Sequence, residues 1–180
     1  MKRIFQSVAV LFTVLLLSSC LKSDDLIGPD AKNSVGAIIE FDNPDYIAAG
    51  SLTASVKLAR YQLTLPKGTA SPLKIRVNYS GTGKVAPSDV TVGLGIDAAA
   101  LTLHNSQASR SYNLIPAAWY TLPSSIVIPA GQAGLDITIP INTTNYVAGQ
   151  TYALPLKITS ASQGTISGNF GTIIVAVAAQ

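Results

Sequence analysis

Alternation with a period of two residues runs through most of this chain, and it leaves few folds open. Leu73, Ile75, Val77 and Tyr79 share one parity, while Lys74, Arg76 and Asn78 share the other. The same pattern returns at Val90, Val92, Leu94 and Ile96, at Leu135, Ile137, Ile139 and Ile141, at Leu154, Leu156 and Ile158, and at Ile173, Val175 and Val177. Successive side chains of a strand point to opposite faces, so each run has one apolar face and one that water can reach. Val35, Ala37, Ile39 and Phe41 alternate likewise. Val56 and Leu58 lie on one parity and Tyr61, Leu63 and Leu65 on the other, which predicts a β-bulge or two separate strands near Ala59 and Arg60. Gly, Pro, Asn and Ser gather between the runs, at 80–83, 129–134, 142–145 and 163–171, where chain reversals are needed. Only residues 98–104 look helical, for a turn or two at most.

Seven or eight short strands separated by turn signals predict an all-β fold, an immunoglobulin-like Greek-key β-sandwich over residues 34–180. Pro140 cannot donate to a ladder, so its strand is expected at an edge or bulged. Tyr152 opens a strand with Leu154 two residues on. That placement fits a tyrosine corner, and equally a tyrosine packed in the core.

Such a sandwich has to hold without disulfides, because the chain has a single cysteine, Cys20. Near 150 residues a domain buries about two-thirds of its unfolded surface, so one core suffices. Cys20 has another reading. Lys2 and Arg3 precede an apolar run from Val8 to Leu17, and Ser18 and Ser19 stand directly before the cysteine. This is the order of a secretory signal peptide. The run is far shorter than the ~20 apolar residues that span a bilayer. The segment resembles a bacterial lipobox, which predicts a leader over 1–19 and membrane attachment through acylated Cys20. Residues 20–33 then read as a lipidated tether. Lys22, Ser23, Asp24 and Asp25 resemble the acidic export signal of Bacteroidetes lipoproteins, which predicts an outer-membrane location facing the cell exterior. Loss of Lys2 and Arg3 lowers the formal charge from +3 to about +1, and no basic stripe suits a phosphate backbone, so nucleic acid is not an expected partner.

Catalytic parts are scarce. His104 is the sole histidine, expected in an exposed loop with Asn105 and Ser106, and no Gly-x-Ser-x-Gly elbow occurs. Asp89 and Asp136 suit a turn and an outward strand face, not a pair of carboxylates across a cleft. Glu40, Asp42 and Asp45 offer oxygen ligands for calcium but no regular ligand loop, and a turn at Asn43-Pro44 accounts for them. The run from Gly81 to Ala86 matches a dinucleotide fingerprint in letters, yet Pro87 and another strand follow where a helix is required. Ser71-Pro72-Leu73-Lys74 lacks the companion motifs of a serine acylase. No catalytic residue, metal or cofactor is expected. What remains is aromatic. Read as extended chain, Tyr120 shares parity with Leu122 and faces in, leaving Trp119 outward as a platform for a sugar ring. Tyr46, Tyr112 and Tyr146 lie in or near loops and would extend that surface.

Three stretches carry a family resemblance: Tyr112-Asn113-Leu114-Ile115-Pro116 running to Tyr120-Thr121-Leu122, Val127-Ile128-Pro129-Ala130-Gly131, and Tyr152-Ala153-Leu154-Pro155-Leu156. In order and spacing they resemble an immunoglobulin-like domain of unknown function common in Bacteroidetes surface lipoproteins. That domain often precedes lectin-like or glycoside hydrolase domains, including endo-β-N-acetylglucosaminidases. The resemblance spans residues 35–178 and its motifs are structural, so it transfers no active site. The sequence stops at Gln180, so no second domain of that kind is expected on it. The resemblance implies a non-enzymatic lipoprotein that binds or helps present glycans for capture or degradation. An alternative is a structural or adhesive subunit that joins other surface proteins through an edge strand.

Overall fold

Branched residues on one parity and polar ones on the other sort the chain into two sheets. The computed structural model describes residues 36–42, 48–50, 53, 56–81 and 84–180. The expected leader, Cys20, the expected tether and Tyr46 lie outside the described residues. Val35–Gln180 forms one unit. Its strands are β1 (Ile38–Asp42), β2 (Ala48–Gly50), β3 (Ala59–Leu65), β4 (Ala70–Ser80), β5 (Val90–Ile96), β6 (Asn113–Leu114), β7 (Ser125–Ile128), β8 (Gly134–Asn142), β9 (Thr151–Ala161), β10 (Thr165–Ile166) and β11 (Thr172–Ala179). One helix, α1 (Ala98–Ala108), follows β5, and a 3₁₀ turn covers Ala117–Trp119.

The smaller sheet runs β10-β1-β4-β8 and the larger β2-β3-β11-β9-β5-β7, with β6 beside β9. β4 pairs antiparallel with both β1 and β8, setting Val77 opposite Phe41 and Leu73 opposite Ile139. In the larger sheet β11 lies antiparallel to β9 and parallel to β3. With β4 and β8 in one sheet and β5, β9 and β11 in the other, these are the places of B and E over C, F and G in an immunoglobulin-like Greek-key sandwich. Ile39, Ile75, Ile139, Leu154 and Val175 are fully buried between the sheets. The alternating runs therefore face as their periodicity predicts.

Local chemistry explains the irregularities. At Gly93 and Leu94 the register with β9 slips, leaving Thr159 as the extra residue of a bulge. A side chain at position 93 would meet the hydroxyls of Ser160 and Thr159, which would have to turn away, so glycine lets the two strands approach closely at the bulge. β8 is an edge strand, and the Pro140 carbonyl accepts the Thr121 N–H at 3.1 Å on its open side. Carbonyl and ring nitrogen of a strand residue share a side, so the missing donor falls on the edge. Pro155 sits deeper, in β9, where the neighbour changes from β6 to β5: Ile115 donates to the Ala153 carbonyl and Asp97 to the Pro155 carbonyl, both at 3.0 Å. Tyr152 makes the corner: its hydroxyl accepts the backbone N–H of Val147, five residues upstream, at 3.4 Å.

Two expectations are corrected. The helix is eleven residues long, not a turn or two. Asp97 caps it, accepting the Ala100 N–H at 3.0 Å, and its carboxyl is held below the usual range by Lys157 (2.8 Å) and then by that N–H. The second is the bulge at Ala59. β3 pairs with β11 without interruption from Ala59 to Leu65. Leu58 precedes the strand and packs under α1, whereas Tyr61 enters the core between the sheets. The parity shift marks a change of compartment.

Candidate ligand-binding site

The larger sheet is covered on both faces, and each cover carries one candidate site. On the outer face, Ala100, Leu101 and His104 form the inward stripe of α1, at the one- and four-residue spacings of a helical face. They rest on Ala153 of β9 and Ile174 of β11, with Leu58 and Tyr112 at the margin. This overturns the exposed-loop reading of His104, which is only 1% exposed. Its ring stacks on Tyr112, centroids 6.1 Å apart and planes at 18°. Neither ring nitrogen has a hydrogen-bond partner among the described residues. A buried polar group left so costs about 1–3 kcal/mol, which is unusual enough to require a reason. Burial, then the charges of Arg60 and Arg110, push the His104 pKa below the ordinary histidine value of 6.5, so the ring is neutral near pH 7.

The loop after α1 is fixed by hydrogen bonds. Ser109 ends the helix in the left-handed conformation (φ 51°), its N–H bonded to the Asn105 carbonyl. The Asn105 side chain clasps the Tyr112 backbone, donating to its carbonyl at 3.0 Å and accepting its N–H at 3.2 Å. Arg60 Nη1 donates to the Tyr112 hydroxyl at 3.0 Å and to Gln62 Oε1 at 2.8 Å. Between these elements lies a pocket of about 320 Å³, lined by Val56, Leu58 and Arg60 from the β3 side and by His104, Gln107, Ala108, Ser109 and Arg110 of α1 and its C-terminal end. Among the described residues its lining includes two arginines and no acidic residue.

The second site is aromatic. Residues 113–121 leave β9, where β6 runs parallel to Tyr152 and Ala153, and reach β8, where Tyr120 bridges Ile141. Trp119 lies on this crossing. Its ring meets Tyr146 at 5.5 Å and Tyr152 at 5.6 Å, and those tyrosines meet each other at 4.3 Å. Trp119 and Tyr120 are both half-buried against the core. The alternation argument that placed one out and one in fails because Ala117–Trp119 is a 3₁₀ turn. Tyr146 is corrected as well: at 2% exposure it braces Trp119 from inside and adds no outer surface. The Thr143 hydroxyl, bonded to the Pro66 carbonyl at 2.6 Å, and the Tyr146 N–H, bonded to the Thr143 carbonyl at 3.0 Å, tuck that loop inward. Burial, then Tyr152, raises the Tyr146 pKa and keeps the phenol neutral. Tyr112 stacks on His104 and accepts from Arg60, and it takes no part in the ring contacts of Trp119.

Among the described residues no cluster of three or more His, Cys, Asp or Glu side chains could hold a metal ion. Asp42 accepts from Asn78 Nδ2 at 2.9 Å, and Asn78 Oδ1 accepts from Arg76 Nε at 2.8 Å. Arg76 in turn pairs with Asp136 at 2.9 Å. These acids serve a polar chain across the outer face of the smaller sheet. Among the described residues no helix is long and apolar enough to cross a membrane.

Sandwich, crossing segment and pocket define a β-sandwich domain of the immunoglobulin-like class. The chain belongs to a family of N-terminal domains of unknown function, whose model matches residues 41–165. No curated protein matches the sequence. Among solved structures, a Bacteroides ovatus protein of unknown function aligns at TM-score 0.63 and 20% identity, over 79% of this chain and 47% of that one. An auxiliary nutrient binding protein from Bacteroides thetaiotaomicron aligns at TM-score 0.55 and 19% identity, over 71% and 47%. EndoBT-3987 of Bacteroides thetaiotaomicron, solved with Man5GlcNAc product, aligns at TM-score 0.50 and 16% identity, over 66% and 28%. These likenesses are of fold. The chain spans about half the length of the first of these structures, at 47%.

Proposed function

We propose that this chain is a non-enzymatic lipoprotein domain that binds or helps present glycans at the outer surface of the outer membrane, for capture or degradation. The observation that carries this reading is Trp119: a half-buried indole braced from behind by Tyr146 and Tyr152, which holds an aromatic face in one orientation. Such a face suits the apolar side of a sugar ring, and pre-organisation lowers the entropy lost on binding. The fold shared with a nutrient binding protein and with part of EndoBT-3987 supports the same class of ligand. Anchoring through acylated Cys20, with Lys22, Ser23, Asp24 and Asp25 as the export signal, supplies the address.

A glycan array on the purified chain tests the binding, and a bound glycan should alter the emission of Trp119, the sole tryptophan. An array without hits removes the glycan reading. Cys20→Ser should shift the protein out of the membrane fraction, and a variant that stays there refutes the lipid anchor. Assembly through β8 is the weaker reading, since Thr121 already occupies part of that edge and Pro140 offers no donor.

A further inference from the structure

We propose that the pocket at the C-terminal end of α1 binds the carboxylate of an acidic sugar, with Arg60 and Arg110 holding the acid group over His104. The inference rests on the glycan-binding reading and names a class of glycan at a site distinct from Trp119. At about 320 Å³ the pocket is at the small end of ligand sites, which run from about 300 Å³ upward, and suits a single sugar ring.

Its chemistry selects the acid. Arg60 uses Nη1 on Gln62 and Tyr112, while its Nε and Nη2 bond to none of the described residues. The Arg110 side chain likewise makes no hydrogen bond or ion pair among the described residues. Guanidinium groups favour planar two-oxygen acceptors, and a carboxylate is one. Arg110 alone could be explained by the partial negative charge of the helix C-terminus. That explanation does not reach Arg60, which comes from β3, nor His104, buried without a partner for either nitrogen. An anion at this place bears on all three: it neutralises the charges of Arg60 and Arg110, both of which act on the buried His104 ring. Val56, Leu58 and Ala108 offer an apolar wall for ring carbons, while Gln107 Nε2 and the Ser109 hydroxyl remain for sugar hydroxyls. Tyr112 holds the far side, fixing Arg60 through its hydroxyl and His104 through its ring.

His104 is the chain's only histidine, so its imidazole resonances report on the site without assignment ambiguity. The purified full chain is titrated with glucuronate, galacturonate and N-acetylneuraminate, then with glucose, galactose and acetate. Acidic sugars should shift the imidazole signals saturably, neutral sugars should not, and acetate should bind at least about tenfold more weakly than the best acidic sugar. Arg110→Gln, on an exposed side chain, should weaken that sugar about tenfold while leaving the melting temperature unchanged. The proposal is overturned if all three acidic sugars leave His104 unmoved, if acetate matches them, or if Arg110→Gln binds as the native chain does. Trp119 emission, followed in the same samples, separates the two readings: glycans that change it while all three acidic sugars leave His104 silent leave the glycan function standing and remove this site.

Discussion

The two sheets bury themselves differently. The smaller one keeps a wet outer face, where Asp42, Asn78, Arg76 and Asp136 form a hydrogen-bonded chain, and residues 73–80 and 136–142 alternate between buried and partly or fully exposed. The larger one is covered twice, by the opposing sheet and by α1. Tyr152–Leu156 and Ile173–Val177 are consequently buried at every position. A one-sided sheet announces its inner face through period two, while a two-sided one reads as a continuous apolar run. Both candidate sites belong to the covers of the larger sheet.

A charge placed on each outer face should separate the two sheets most sharply. Ala153→Asp buries a carboxylate under α1 with no partner and should cost at least about 3 kcal/mol, enough to prevent folding of a marginal domain. Thr138→Asp, exposed on β8 opposite Lys74, should stay within about 0.5 kcal/mol. Chemical denaturation measures both. Equal losses would mean that α1 does not cover its sheet.

Trp119→Ala comes next. Full truncation of a buried tryptophan costs ~3–5 kcal/mol, so a half-buried one packed on two tyrosines should cost about 1–3 kcal/mol. Glycan affinity should fall at the same time. A variant with unchanged stability would restore the free outward platform that parity predicted.

The smallest effect is a slope. With its folded-state pKa below 6.5, His104 stays neutral where the unfolded chain takes up a proton. The unfolded state then binds more protons, so stability should decline as pH falls below about 6.5 and level off once the folded-state pKa is passed. His104→Phe should flatten that decline in thermal melts at pH 5 to 7. An identical slope in both proteins would show the decline to arise elsewhere.

What sequence revealed follows the same division. Ile75 and Ile139 were legible because one face of each strand needed to be apolar and its neighbours did not. The Pro140 edge was legible because a missing donor has few places to go. Trp119 was misread because Pro116 and a 3₁₀ turn interrupt the period on which the argument depended. Tyr146 was misread because its loop is drawn inward by contacts with Pro66 and Thr143, far off in sequence or within the turn itself. The His104 pocket was missed since α1 carries alanine on both faces and a histidine in its buried stripe, so hydropathy marks no face. Ala100, Leu101, His104 and Ala108, spaced by one, three and four, held the available signal.

The parallel pairing of β3 with β11, continuous over seven residues from Ala59 to Leu65, also has a mechanical consequence. Tension applied between the N-terminal side of β3 and Gln180 pulls these two strands in opposite directions along their lengths. The ladder is then loaded in shear, its evenly spaced bonds sharing the force, whereas a hairpin pulled at its open end unzips one bond at a time. Under that load, resistance to force is thus built into strand direction.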